Sequence, residues 1–146
     1  MPPWHSNITR RLVKTPKLYF LDTGLCAYLT QWTSPQSLEA GAMSGAILKT
    51  FVLGEILKGY RHNGRAANLF FYRDRDGNAV DLIIEQDDRL YPIEIKKTAT
   101  PSRTASRSFQ FLDRLGRQIG HGAVLCLRET LLPLSSGVTA LPIWTL

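Results

Sequence analysis

Two carboxylates and one lysine within residues 78–97 are spaced in a way that suits metal and phosphate chemistry. Asp81 belongs to one run of alternating apolar and polar residues, and Glu94 and Lys96 belong to the next run. Such alternation is typical of half-buried β-strands. A hard divalent cation such as Mg²⁺ takes carboxylate oxygens as ligands, and a nearby ammonium stabilises negative charge on a phosphate. These three residues are the first candidates for a functional site.

The two runs predict a β-hairpin that brings the carboxylates together. Asp87 and Asp88 are typical turn residues. A turn centred on them pairs Asp81 directly with Glu94, and facing residues have Cβ atoms roughly 4.5–5.5 Å apart. Two carboxylates at that distance repel each other unless a proton or a cation lies between them. Lys96 shares the face of Glu94, since strand side chains repeat every second residue.

An ordinary hairpin with one solvated face is the alternative, because acid-bearing hairpins of that kind are common. The neighbours of the two acids argue against it. Isoleucines occur on both faces of the two strands, at Ile83, Ile84, Ile93 and Ile95. A carboxylate on a strand that is apolar on both faces needs a partner, since burying an isolated charge is costly.

The spacing of the three residues resembles the signature of the PD-(D/E)XK nuclease superfamily, in which an Asp is followed on the next strand by Glu-x-Lys. Here twelve residues separate Asp81 from Glu94-Ile95-Lys96. Longer segments are similar to the C-terminal DUF4143 domain of a bacterial and archaeal AAA-type P-loop ATPase family. The resemblance covers nearly the whole chain, and the segments that carry it are Pro16–Leu25, Gly45–Glu55, Phe71–Asp81 and Pro92–Lys96.

The resemblance implies an α/β fold with a mixed β-sheet flanked by helices and a core like that of PD-(D/E)XK restriction endonucleases. It implies that Asp81 and Glu94 hold Mg²⁺ or Mn²⁺, with the backbone carbonyl of Ile95 as a further ligand. Lys96 would orient the attacking water or stabilise the charge on the phosphate. The expected reaction is phosphodiester hydrolysis on DNA. The alternative is an inactive nuclease-fold module that binds DNA or protein and is regulated by an ATPase domain.

The same resemblance predicts how the chain is divided. Residues 1–21 would be the remnant of a winged-helix segment, ending in the strand-like run Lys17–Leu21, and residues 22–146 would be the nuclease-like DUF4143 domain. The glycines of residues 41–50 lack the spacing of a phosphate-binding Walker loop. The ATPase domain, an expected partner, would therefore be absent from this chain.

A helix is predicted from Gly45 to Tyr60, with an apolar stripe formed by Leu48, Phe51, Val52 and Ile56. Glu55 falls inside that stripe, where an unpaired carboxylate is costly. We expect its side chain to point toward Asp81 and Glu94 as a fourth catalytic residue. The alternative is that it reaches the surface at the end of the helix.

Lys49 stands where the helix pattern of the resembled family has a glutamate. One hypothesis is that its ammonium takes the place of a cation between the two acids. In that case Lys49→Glu would tighten Mn²⁺ binding. The alternative is that the long side chain extends to solvent and touches neither acid.

The basic character of the chain favours an anionic partner. The formal net charge is +6, and seven basic residues against one acid lie between Lys96 and Arg128. Lys97, Arg103 and Arg107 in this segment are the predicted nucleic-acid contacts. An ordinary basic surface is the alternative interpretation.

The remaining pattern predicts a short set of further elements. They are a helix from Asp22 or Thr23 through Leu29, a loop at 33–37, a strand at 68–73, a turn at 74–78, a helix at Ser106–Leu115, a strand at 122–127, and an edge strand at 138–143 that contains Pro142. Cys26 and Cys126 show no metal-ligand spacing. No apolar run is long enough to span a bilayer, so no membrane partner and a cytoplasmic location are expected.

Overall fold

The computed structural model describes residues 1–5 and 15–146 of the chain. Contacts divide the chain into a sheet unit, Met1–Leu18 with Ala67–Thr145, and a helical unit, Tyr19–Ala66 with Leu146. Residues 6–14 lie outside the described part and fall within the predicted winged-helix remnant. That remnant and its boundary at residue 21 therefore stay predictions.

The helical unit contains three α-helices, which are α1 Thr23–Leu29, α2 Pro35–Ala40 and α3 Ser44–His62. The α1 prediction is confirmed: Asp22 caps the helix by accepting a hydrogen bond from the Leu25 amide at 2.8 Å. The predicted loop at 33–37 is wrong, because α2 begins there. Ser34 and Ser37 form a reciprocal capping box, and Pro35 occupies the first turn. Both are helix-start signals.

α3 confirms the helix predicted from Gly45 to Tyr60 and extends it at both ends. Val52, Leu53 and Ile56 are buried on it, which agrees with a stripe at helical spacing. Phe51 departs from the predicted stripe, since it is 40% exposed. None of the described helices is both long enough and apolar enough to cross a membrane.

The sheet unit is built on seven described strands in one mixed sheet. The strands are β1 Leu69–Arg73, β2 Ala79–Gln86, β3 Arg89–Ile95, β4 Gln118–Ile119, β5 Gly122–Cys126, β6 Leu132–Ser135 and β7 Val138–Pro142. Their order across the sheet is β1-β2-β3-β5-β7-β6, with β4 also pairing with β3. The predicted α/β class with a mixed sheet is confirmed.

Antiparallel pairing joins β1 to β2 and β2 to β3, whereas β3, β5 and β7 are parallel. The edge-strand prediction for 138–143 is wrong, because β6 pairs with β7 on its outer side. Pro142 is the last residue of β7, so its missing N–H costs the ladder little. The edge strand on this side is β6, which contains Pro133 and was not predicted from the sequence.

The helix predicted at Ser106–Leu115 is confirmed; it is a 3₁₀ helix and begins earlier, at Arg103. Its exposure follows a period of three, as this helix type requires. Phe109 and Leu112 are buried against the sheet, and an exposed line is formed by Thr104, Arg107, Gln110 and Asp113. Gly122 of β5 lies under the Phe109 ring, where a methyl group would come within 2.7 Å of a ring carbon. The helix therefore packs directly on the backbone of the central strand.

The first residues of the chain add to the edge of the sheet beside β1. The Trp4 amide donates to the Phe71 carbonyl at 2.7 Å, and Pro3 forms a parallel bridge with Phe71. Trp4 is buried in the core with Val80, Ile83 and their neighbours. The predicted strand Lys17–Leu21 is wrong, since these residues have no strand structure.

Candidate active site

A β-bulge shapes the sheet at Asp81. Phe70 pairs with Ile83 and Tyr72 pairs with Val80. Two residues of β2, Asp81 and Leu82, therefore lie opposite the single residue between Phe70 and Tyr72. Bulges of this kind re-aim side chains and are frequent beside active sites. The bulge also explains why Val80 and Ile83 share one core cluster despite their odd spacing.

The hairpin of β2 and β3 has the predicted turn and register. Asp87 and Asp88 both have positive φ, 50° and 63°, as a two-residue hairpin turn requires. The register runs from Gln86–Arg89 to Leu82–Ile93. Continuing it by one pair places Asp81 opposite Glu94, as predicted.

The backbone ladder ends before that pair, and a side chain takes its place. Oδ2 of Asp81 accepts a hydrogen bond from the Ile95 amide at 3.1 Å. On the other side of β3, Glu94 pairs with Val124 and Ile95 pairs with Leu125 of β5. The Asp81 carboxylate is thus held against the end of a central strand.

Glu94 is the one charged residue among the buried side chains of the described chain, with 7% of its surface exposed. Its Oε1 lies 2.8 Å from Nζ of Lys96, whose side chain is 43% exposed. Glu94 and Lys96 were predicted to share one face of β3, and this ion pair agrees with that prediction. A buried carboxylate persists when a cation compensates its lost hydration.

The Lys96 ammonium is coupled to both acids. Burial by itself lowers its pKa, but the hydrogen bond to Glu94 and the charges of Glu94 and Asp81 outweigh that effect. The pKa of Lys96 therefore lies above its ordinary value of 10.5. Lys96 carries a full positive charge at neutral pH.

The residues present fit a divalent cation in part. Asp81, Glu94 and the Ile95 carbonyl offer oxygen donors at one strand end, and Mg²⁺ is commonly held by one or two carboxylates while it keeps several waters. In the described part of the chain, no group of three or more His, Cys, Asp or Glu side chains is arranged to hold a metal. The donor set thus suits a hydrated ion rather than one enclosed by side chains.

Glu55 lies on α3 of the helical unit. Its Oε1 is 2.6 Å from Nζ of Lys58, and its side chain is 29% exposed. Together with Asp22 and Thr23 it lines a pocket of about 290 Å³. Lys49, on the same helix, is half-buried. Because these residues belong to the other unit, their predicted places beside Asp81 and Glu94 stay predictions.

The predicted nucleic-acid contacts Lys97, Arg103 and Arg107 are all exposed. Two other arginines of the basic segment are engaged elsewhere. Arg117 lies 3.0 Å from Glu85 and 2.6 Å from Asp88, so it ties the hairpin to the strand β4. Arg114 stacks over the Phe111 ring at 5.5 Å.

A pocket of about 200 Å³ at the end of β1 was not predicted. We call it the arginine pocket, and its lining residues are Trp4, His5, Tyr72, Arg73, Asp74, Arg75 and Leu115. The available signal was the run Tyr-Arg-Asp-Arg beside a turn, which combines an aromatic residue with two cations. Burial is the main cause that raises the pKa of the Tyr72 hydroxyl, and Asp74 adds to it.

Comparison with known proteins identifies two matched regions. Residues 44–146 match the family described as a domain of unknown function, DUF4143. Residues 1–36 match a second family, DUF8612, which is also described as a domain of unknown function. No solved structure matches the chain significantly.

Two curated mycobacterial proteins are similar to nearly the whole chain. Uncharacterized protein Rv2008c of Mycobacterium tuberculosis and Uncharacterized protein Mb2031c of Mycobacterium bovis are each 32% identical to it over 142 residues. The aligned region is 97% of this chain but only 31% of each relative. Since the first of the two family matches spans well over half of its residues, this chain belongs to the DUF4143 family.

Proposed function

We propose that the sheet unit is a nuclease-like domain that hydrolyses phosphodiester bonds in DNA with the help of Mg²⁺ or Mn²⁺. One observation carries the proposal, which is the arrangement at the open end of the β2–β3 hairpin. There the Asp81 carboxylate is held on the Ile95 amide, and Lys96 lies 2.8 Å from the buried Glu94. Two acids and an ammonium on adjoining strands suit hydrolysis by water.

In this proposal Asp81, Glu94 and the Ile95 carbonyl hold the metal ion. The ion, when bound, would supply an activated water and neutralise charge on the phosphate. Lys96 stabilises the charge of the phosphate, because it places an ammonium beside the two acids. Glu55 is retained as a further catalytic candidate.

The order of elements supports a PD-(D/E)XK-like core. A long helix, α3, precedes three antiparallel strands, and the 3₁₀ helix then leads to the parallel strand β5. We further propose that the unit works with an AAA-type ATPase domain. The relatives are about three times as long as the aligned region, which leaves room for such a domain in them.

The second candidate function is an inactive nuclease-fold module that binds DNA or protein. One observation favours it. Lys96 already compensates Glu94, and among the described residues of the sheet unit no third acidic side chain forms a metal-holding group with the pair. A lysine that neutralises a buried acid without a metal is also what a purely structural ion pair would show.

Calorimetric titration of Mn²⁺ tests the choice. Asp81→Asn removes one ligand charge but keeps an oxygen that can accept the Ile95 amide, so the fold should persist. Asp113→Asn is the matched control, because Asp113 lies on the exposed line of the 3₁₀ helix. We expect wild type and Asp113→Asn to bind Mn²⁺ and cleave labelled DNA, and Asp81→Asn to do neither. Absence of both Mn²⁺ binding and cleavage in all three proteins would favour the inactive module.

A further inference from the structure

The arginine pocket is a candidate binding site that the proposed chemistry does not use. Its two guanidinium groups come from Arg73, at the end of β1, and Arg75, in the following turn. Neither arginine forms an ion pair within the described residues. Both are exposed. Two cations that line one concave surface repel each other, so their placement together calls for an explanation.

Asp74, between the two arginines, forms no ion pair with either of them. Its Oδ1 accepts the amides of Asp76 at 3.0 Å and Asn78 at 2.8 Å, and its Oδ2 accepts the Asn78 side chain at 2.8 Å. The carboxylate is therefore occupied in closing the turn. The same turn fixes the backbone on which Arg73 and Arg75 are carried.

The lining residues and the volume of the pocket indicate which class of ligand it would bind. The paired N–H groups of an arginine guanidinium match the oxygens of a phosphate group. The Tyr72 hydroxyl, whose pKa is raised, stays protonated and is a further hydrogen-bond donor. The volume of about 200 Å³ is below the roughly 300–1,000 Å³ of typical small-molecule pockets. A single phosphate group suits this space better than a whole nucleotide cofactor.

The pocket lies one strand away from the acids. Arg73 pairs with Ala79, which precedes Asp81 by two residues on β2. With about 3.3 Å per residue and about 4.8 Å between strands, the Cα atoms of Arg73 and Asp81 are roughly 8 Å apart. That separation is on the scale of neighbouring nucleotides of one strand.

We propose that the arginine pocket binds a backbone phosphate of a nucleic-acid strand, close to the phosphodiester that lies at Asp81 and Glu94. The position relative to the cleaved bond rests on the proposed function, whereas phosphate binding itself does not. The pocket would hold the strand by its backbone and would carry no base preference, since phosphate contacts position a nucleic acid without reading its sequence.

Fluorescence anisotropy with a labelled single-stranded oligonucleotide, in EDTA at low salt, tests the proposal. Arg73→Gln and Arg75→Gln should each weaken binding about threefold to tenfold, and the double variant should weaken it further. Arg89→Gln is the matched control, because Arg89 is an exposed arginine at the opposite end of the hairpin. Thermal melting of each variant checks the fold. Equal affinity of the double variant and Arg89→Gln would overturn the proposal.

Inorganic phosphate distinguishes the two possible occupants of the pocket, which are a backbone phosphate of a nucleic acid and a free phosphate ion. Calorimetry should show weak phosphate binding at most, and excess phosphate should displace the oligonucleotide only at high concentration. If the double variant loses phosphate binding but keeps the wild-type oligonucleotide affinity, the occupant is a free anion and the nucleic-acid proposal is wrong.

DNA cleavage in Mn²⁺ keeps the two proposals apart. Reduced oligonucleotide affinity in Arg73→Gln together with no cleavage by wild type would leave the pocket standing and overturn the hydrolase. Metal-dependent cleavage by wild type, together with unchanged oligonucleotide affinity in the double variant, would support the hydrolase and overturn the phosphate-binding role of the pocket.

Discussion

The ion pair between Lys96 and Glu94 differs from the pair between Lys58 and Glu55 in its surroundings rather than its length. The two distances are 2.8 Å and 2.6 Å. The side chain of Glu94 is 10% exposed, however, and that of Glu55 is 29% exposed. Exposed pairs contribute little to stability, whereas removal of one partner of a buried pair leaves an uncompensated charge.

We therefore predict that Lys96→Met destabilises the metal-free protein by about 1–3 kcal/mol, while Lys58→Met changes stability by less than about 0.5 kcal/mol. Urea unfolding in EDTA at pH 7 measures both. Glu94→Gln in the Lys96→Met background should recover much of the loss, because no charge is then left buried. Equal losses for the two lysine variants would show that Glu94 does not depend on Lys96.

The pH dependence of this pair follows from the raised pKa of Lys96. A group whose pKa is raised on folding contributes its full stability below the unfolded value, here near 10.5, and loses it as the pH rises through the folded value. The difference between wild type and Lys96→Met should therefore be constant near neutral pH and shrink in strong alkali.

The turn between β1 and β2 depends on Asp74. Hydrogen bonds from Asn78, first from its side chain, lower the pKa of the Asp74 carboxyl below its ordinary value of 3.8. A group whose pKa is lowered on folding contributes stability above the unfolded value and loses it as the pH falls through the folded value. The turn should thus weaken in acid.

This predicts that Asp74→Asn lowers the urea midpoint at pH 7, because the charge-assisted hydrogen bonds are lost. As the pH falls below about 3.8 and through the lowered pKa, the difference from wild type should shrink because Asp74 itself takes up a proton. Asp76→Asn, in the same turn, is the control and should stay close to wild type at both pH values. A difference for Asp74→Asn that is independent of pH would contradict the charge-based explanation.

The elements also show what the sequence could and could not predict. Local signals were sufficient for the hairpin register, because the positions of Asp87 and Asp88 fix it. The bulge at Asp81 was not predictable from alternation, since Leu82, Ile83 and Ile84 are all apolar and any of them could be the inserted residue. The 3₁₀ helix had a signal in the spacing of Phe109, Leu112 and Leu115, which is three residues each time.

Contacts between residues that lie far apart in sequence could not be predicted from local sequence patterns. Arg117 reads as one more residue of a basic segment, but the fold brings it to Glu85 and Asp88, far away in sequence. The arginine pocket likewise depends on Trp4 and His5, which reach β1 only through the parallel bridge at Phe71. The placement of Glu55 and Lys49 relative to the acids is a question of the same kind.

For the whole molecule, the net charge of +6 overstates the charge that is available to a nucleic acid. Within the basic segment, Lys96 compensates Glu94, Arg117 compensates two acids, and Arg114 stacks over Phe111. Arg103 and Arg107 are exposed. With Arg73 and Arg75 of the arginine pocket, they give about four cations for phosphate contacts.

Neutralising about four phosphates predicts that log affinity for DNA falls with log salt at a slope of roughly −3 to −4, with little dependence on sequence. Arg103→Gln and Arg107→Gln should each reduce that slope by about 1, since each removes one phosphate contact. Arg117→Gln should instead lower the melting temperature and leave the slope unchanged, because its charge is used within the fold. Anisotropy titrations at several salt concentrations, paired with melting curves, measure both effects. If Arg117→Gln lowered the slope while the exposed arginines did not, the nucleic-acid surface would have to lie on the β4 side of the hairpin, away from the acids.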